Sequence, residues 1–223
     1  MTRFDALTGL LDDRYSCRAF RPEEVPRSDI ERIIDAARRV PSWCNAQPWQ
    51  VTITSGAATE MFRTALQAEV AAGTPAPDLA APEGYPGVYG DRRRTCGWQL
   101  YEAVGVEKGD RAASAKQMMR NYALFDAPHV AIISSPRALG PYGAMDTGGF
   151  VTAFSLAATA CGVDTIPQAA IAFYSAFVRR YFDLGDDRLV LCAISFGYAD
   201  TDHPANSFRT DRATVDDIVD WRT

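Results

Sequence analysis

Arg14-Tyr15-Ser16-Cys17-Arg18 sets two guanidinium groups four positions apart with a hydroxyl between them. On a short turn or a first helical turn, that spacing lets both cations hold an anion through charge-assisted hydrogen bonds. Pairs of this kind are common on helices, so the pentapeptide alone proves little. A second segment, Pro41-Ser42-Trp43-Cys44-Asn45-Ala46-Gln47-Pro48-Trp49, places a hydroxyl, an amide and two indoles among prolines. It offers hydrogen bonds to a polyol or heterocycle edge and a flat apolar surface for a ring. It also fits an ordinary helix–strand turn.

Other constellations fail on spacing. Ala193-Ile194-Ser195-Phe196-Gly197 is one residue short of G-x-S-x-G, and Asp200, Asp202 and His203 follow too closely to complete a triad. His129, opening an apolar run after Pro128, reads as a hydrogen-bonded structural histidine. Asp12-Asp13, Asp186-Asp187 and Asp216-Asp217 are adjacent pairs whose side chains diverge on any regular element, which argues against a two-carboxylate glycosidase site. Two histidines and no C-x-x-C give no basis for a metal site. There is no G-x-G-x-x-G and no P-loop. The only lysines, Lys108 and Lys116, sit in a polar stretch that would not desolvate a Schiff-base amine.

The composition sets the frame for these segments. A chain of 223 residues that is 47% hydrophobic and 23% charged can bury a full core without staples, so one elaborated domain over 1–223 is expected. A net charge of −5 argues against bulk nucleic-acid binding, and Arg92-Arg93-Arg94 reads as a solvated face. No apolar run approaches ~18 residues, so no membrane span is expected. Met1 to Asp13 lacks the apolar segment of a signal peptide. Five scattered cysteines (Cys17, Cys44, Cys96, Cys161, Cys192) fit reduced thiols and a cytoplasmic location.

The elements that must position the two segments follow from periodicity. Ser28-x-x-Glu31 reads as a capping box before Ile30, Ile33, Ile34 and Ala37, a helix ending before Pro41. Trp49, Val51 and Ile53 alternate as a strand, and residues 57–72 read as a helix. Between Gly73 and about Gly109, prolines, glycines and tyrosines interrupt any period; this is too long for a connection and reads as an excursion, a lid or a site wall. Residues 111–125 read as helix and Val130 to Ser134 as a buried strand. Residues 144–161 read as an almost uncharged helix buried on most sides. A short helix over 175–183, a strand from Leu189 to Phe196 and a final helix capped by Thr214 complete an α+β layout around one small sheet.

The two segments together resemble the FMN-dependent nitroreductase family. The resemblance continues through Gly162-Val163-Asp164-Thr165-Ile166-Pro167-Gln168-Ala169-Ala170, Ile194 to Asp200, and Asn206 to Arg212, in the family's order over 14–212. Gly97-Trp98-Gln99-Leu100-Tyr101 and Lys108 to Ala113 are similar to the nitrobenzoate reductase branch. The resemblance implies a three-layer fold with a small central sheet flanked by helices, in an intertwined homodimer holding FMN at its interface. It implies Arg14 and Ser16 at the phosphate and ribityl end, Tyr15 through its backbone, and Arg18 at the pyrimidine edge. Pro41, Ser42, Trp43 and Asn45 would reach the flavin from the partner subunit. Pro167, Gln168, Ala169 and Ala170 would lie along the ring, with the Ala169 N–H near N5. Arg212 would close the phosphate site, with Arg209 replacing a basic residue the family often has where this chain has Thr210. NAD(P)H and a small aromatic oxidant would stack in turn on the ring, giving ping-pong reduction of a nitro group to a hydroxylamine. No protein nucleophile is needed, because the cofactor carries the chemistry. Tyr85, Tyr89 and Arg92 of the excursion are the expected substrate contacts; the alternative is a dimer-wrapping arm whose aromatics merely pack. Quinone reduction, dehydrogenation, dehalogenation or flavin storage without turnover are the alternatives.

Overall fold

The computed structural model describes residues 1–222. Among these, the chain forms helices α1 (Arg3–Asp13), α2 (Arg27–Ala37), α3 (Ala57–Ala72), α4 (Val88–Ala103), α5 (Arg111–Met119), α6 (Gly140–Ala160), α7 (Ala169–Ala172), α8 (Ser175–Phe182) and α9 (Val215–Ile218). The strands are β1 (Gln50–Ser55), β2 (His129–Pro136), β3 (Asp164–Gln168) and β4 (Arg188–Gly197). They form one antiparallel sheet in the order β1-β2-β4-β3.

Val130, Ala131, Ile132 and Ile133 follow one another in β2, an apolar run that suits a strand covered on both faces. Both faces are covered. Ala131, Ile133, Ile194 and Phe196 pack against Ile30, Ile33 and Ala37 of α2 and Phe150, Phe154 and Ala158 of α6. On the opposite face Val130, Ile132, Val190 and Ala193 meet Phe62 and Leu66 of α3, Ile171 of α7 and Val178 of α8. The result is the three-layer α+β architecture that the resemblance implies. A third cluster, with Cys17, Phe20, Phe125, Ala127, Ile166 and Ala199, fastens residues 15–20 beside the sheet.

Several local expectations are corrected. The 14–18 segment is neither a turn nor a first helical turn. It runs extended after α1, with Ser16 bridging Thr165 in parallel and the Cys17 N–H donating to the Thr165 carbonyl at 3.0 Å. The Ser28–Glu31 capping box does not form. Helix α2 begins at Arg27 behind Pro26, and Glu31 instead accepts from Arg27 Nε at 2.8 Å. The 111–125 helix stops at Met119; Leu124, Phe125 and Asp126 turn left-handed at φ 54°, 52° and 63°. Helix α6 buries only one stripe, Gly143, Thr147, Phe150, Phe154, Ser155 and Ala158, while Tyr142 and Met145 are exposed. Its lack of charge therefore does not mean burial on most sides within this chain.

The excursion contains α4, a 16-residue helix with no apolar stripe, whose only buried residue is Gly90. Periodicity cannot reveal a helix that packs so little. The segment's start is nonetheless pinned: the buried Asp78 carboxylate takes Arg137 and Arg179, and accepts the Val190 N–H at 2.9 Å.

His129 is fully buried, stacks on Phe196, accepts the Val25 N–H on Nε2 at 2.8 Å and bonds Ser55 Oγ through Nδ1 at 2.9 Å. Burial holds its pKa below the ordinary imidazole value, partly offset by the Thr54 carbonyl and Glu24. The unfolded chain therefore takes up a proton near pH 6.5 that the folded chain refuses. The His129 contribution is fully present above pH ~6.5 and is lost as pH falls toward the folded value, at no more than about 1.4 kcal/mol per pH unit. Urea unfolding at pH 7.5 and 5.5 should show this loss, and His129→Gln should flatten that part of the dependence.

Candidate functional site

The pocket is built where α1 ends and the chain turns extended. The C-cap residue Arg14 and the following Tyr15, Ser16 and Arg18 line one wall. Phe208, Arg209, Thr210 and Arg212, from the segment after β4, line the opposite wall, and Cys96 of α4 closes one side. The cavity holds about 200 Å³. The two walls are clipped together by Asn206: its Oδ1 accepts the Arg18 N–H at 2.7 Å, and its Nδ2 donates to the carbonyls of Ala19 and Asp200 at 2.9 and 2.8 Å. Asn206 is 5% exposed, and a buried amide with three bonds to two segments fixes their spacing. Sequence reasoning marked the start of this segment but gave Asn206 no role; an asparagine in a loop has no distinguishing local signal.

Four guanidinium groups converge here: Arg14, Arg18, Arg209 and Arg212. No described carboxylate lies within 4.0 Å of any of them, although Asp12 stands on the rim. Burial, and secondarily the Arg212 charge, push the Arg14 pKa down. Burial does the same to Arg18, partly offset by Cys96 and Cys17. A guanidinium does not lose its proton in a protein, so these shifts describe charge held at a cost that an anion would relieve. Arg18 also lies over the Phe208 ring at 5.6 Å and donates to the Ser16 carbonyl at 3.1 Å. Arg212 donates to Thr210 Oγ1 at 2.7 Å. Three planar forks, Arg14, Arg209 and Arg212, with the Ser16 hydroxyl make a donor set that fits a terminal phosphate, and the Arg18 charge is left for a second acceptor.

The remaining expected residues stand outside this pocket. Pro167 and Ala169 are exposed where β3 passes into α7, and Ala170 is half-buried. Gln168 points inward: its Oε1 accepts from Ser195 Oγ at 2.6 Å and its Nε2 donates to the Asn121 carbonyl at 2.8 Å. Its side chain is therefore committed to the core, and its backbone lies opposite Ala193 at the end of the β3–β4 ladder. The same bond places Ser195 inside the sheet as a structural residue.

Pro41, Ser42, Trp43 and Asn45 lie on a separate exposed loop. Ser42 Oγ accepts the Gln47 N–H at 2.9 Å, and Trp43 meets Tyr142 edge-on at 4.3 Å. Cys44, Asn45 and Gln47 hold φ near +50°, a conformation costly for side-chain-bearing residues. Tyr85 and Tyr89 are exposed, with Arg93 over the Tyr85 ring at 5.2 Å, and Arg92 is on the solvent side of α4. Among the described residues no group of three or more metal-ligating side chains gathers, and no helix is long and apolar enough to cross a membrane.

A family model described as the nitroreductase family matches residues 11–198. The chain belongs to the nitroreductase family. Nitroreductase NfnB of Mycolicibacterium smegmatis is 35% identical over 94% of this chain and 90% of its own. The 4-nitrobenzoate reductase of Pseudomonas putida is 31% identical over 94% and 91%. The crystal structure of the FMN-dependent nitroreductase NfnB from Mycobacterium smegmatis in complex with NADPH superposes with a TM-score of 0.94, covering 100% of both chains at 32% identity. The nitroreductase fold expected from the sequence is therefore the fold observed.

Proposed function

We propose that the protein is an FMN-dependent oxidoreductase that uses NAD(P)H to reduce nitroaromatic compounds to hydroxylamines. The observation that carries this reading is the pocket of four guanidiniums without a carboxylate partner, in a chain similar to nitroreductases. The names of those relatives support the cofactor, the reductant and the nitroaromatic class. Bound FMN would supply the redox chemistry, taking two electrons from NAD(P)H and passing them to the oxidant in separate half-reactions, twice for each nitro group taken to hydroxylamine.

The chain's own residues bind and orient. Arg14, Ser16, Arg209 and Arg212 would hold the phosphate. Arg18 would set its charge at the pyrimidine edge, favouring negative charge there. Pro167, Ala169 and Ala170 would support the ring, with the backbone of Gln168 and the N–H of Ala169 directed at it. Pro41, Ser42, Trp43 and Asn45 are too far from this pocket to line it, and in a homodimer they would serve the partner's site. A dimer would also cover the exposed face of α6. Five free cysteines fit a reducing, cytoplasmic setting.

The purified protein should be yellow and have a dimer's mass by light scattering. Its chromophore, released by denaturation, should co-elute with FMN. NAD(P)H oxidation should accelerate on adding a nitroarene. FAD as the sole flavin, or no binding of added flavin, would overturn the reading; a flavin-loaded monomer would overturn the shared site.

A further inference from the structure

Arg209 does not enter the pocket as a free arm. Its Cζ lies 3.7 Å from the centroid of the Tyr15 ring, over the ring face. Its Nη1 donates to the carbonyls of Asn206 and Phe208, both at 2.9 Å, while Nε and Nη2 have no partner among the described residues. One edge of the guanidinium is thus tied to its own loop, one face rests on the phenol, and the other edge is unused. The pedestal is itself fixed. Tyr15 lies in the extended segment tied to Thr165, and its ring packs on the cluster containing Cys17 and Ile166. Arg209 is otherwise an exposed side chain, and ordering such a chain on a ligand costs rotamer freedom unless something orders it beforehand.

We propose that the Tyr15 ring is the pedestal that aims the unused edge of Arg209 at a ligand phosphate, making Tyr15 a positioning residue for phosphate recognition. This deepens the FMN reading and rests on it. Burial first, and then the neighbouring Cys17 and Asp164, raise the phenol's pKa far above the ordinary value, so Arg209 rests on the face of a neutral phenol.

The test compares FMN with riboflavin, which lacks the phosphate. Both are titrated by fluorescence quenching into protein stripped of flavin from the purified holoenzyme. Tyr15→Phe should bind FMN within twofold of the parent. Tyr15→Leu should bind it about tenfold more weakly, a loss of 1.4 kcal/mol, with riboflavin unchanged. In an Arg209→Ala background Tyr15→Leu should add nothing. Arg209→Lys, which keeps the charge and loses the planar fork, should weaken FMN with Tyr15 intact, and this holds even if Tyr15→Leu does not fold. Equal loss of FMN and riboflavin in Tyr15→Leu, additive losses in the double variant, or full FMN affinity in Arg209→Lys would each overturn the proposal. A parent protein that binds neither flavin would overturn the FMN reading with it; one that binds FMN with an additive cycle overturns the pedestal alone.

Discussion

Arg14→Ala and Arg212→Ala should each weaken FMN binding by ten- to a hundredfold and raise the melting temperature of the flavin-free protein. The first effect follows from the worth of a charge-assisted hydrogen bond, about 1.5–3 kcal/mol. The second follows from the pocket's electrostatics. Burial and the neighbouring Arg212 both act against the Arg14 charge, and no described carboxylate offsets them. Removing either cation relieves that repulsion in the empty site and removes attraction in the filled one. Arg18→Gln should behave differently. It should retain more flavin while lowering the flavin's reduction potential and slowing electron uptake from NAD(P)H. Flavin titration, spectroelectrochemistry and stopped-flow reduction check the three outcomes. Equal loss of flavin in all three, with unchanged potential in what remains bound, would mean that the roles are misassigned.

Single alanine changes at Tyr85, Tyr89 and Arg92 should slow transfer to a 4-nitrobenzoate-like acceptor at least tenfold, about 1.4 kcal/mol in barrier. Reduction by NAD(P)H should change much less. The structure supplies a reason for looking here. Positions 89, 92, 93 and 96 share one face of α4, and Cys96 lines the cationic pocket. Tyr89 then stands roughly 10 Å from Cys96 along the helix axis. Gln99, on the next turn, donates to the Arg209 carbonyl at 3.4 Å, so α4 also touches the loop bearing two of the pocket's cations. The exposed tyrosines and Arg92 are available to a flat, anionic ring, with few contacts of their own to lose. Stopped-flow measurement of the two half-reactions separates this from a packing arm, for which both half-reactions, or the dimer itself, would suffer together.

The elements that were legible are those whose residues carry their own period or punctuation. Helix α3 matches its expected span, and β1, β2 and β4 lie where alternation or apolar runs place them, because both faces of the sheet are covered. Helix α4 was not legible, since it buries only a glycine, and β3 was not, being five residues long with a proline inside. The capping box at Ser28 is a local signal overridden by another: Pro26 already starts the helix, and Glu31 finds Arg27.

The sequence by itself determined the chemistry of the cationic pocket, because charge, hydroxyl and order along the chain are properties of residues. It also determined the sheet-and-helix class, because periodicity is local. Only the tertiary structure decided that Arg14 and Arg18 meet Arg209 and Arg212, nearly two hundred positions away, through the three bonds of Asn206. It alone turned Gln168 inward, set Cys96 in the pocket wall and laid Arg209 on Tyr15. Which groups face one another across a cavity depends on the packing of the whole sheet, and no local spacing encodes it.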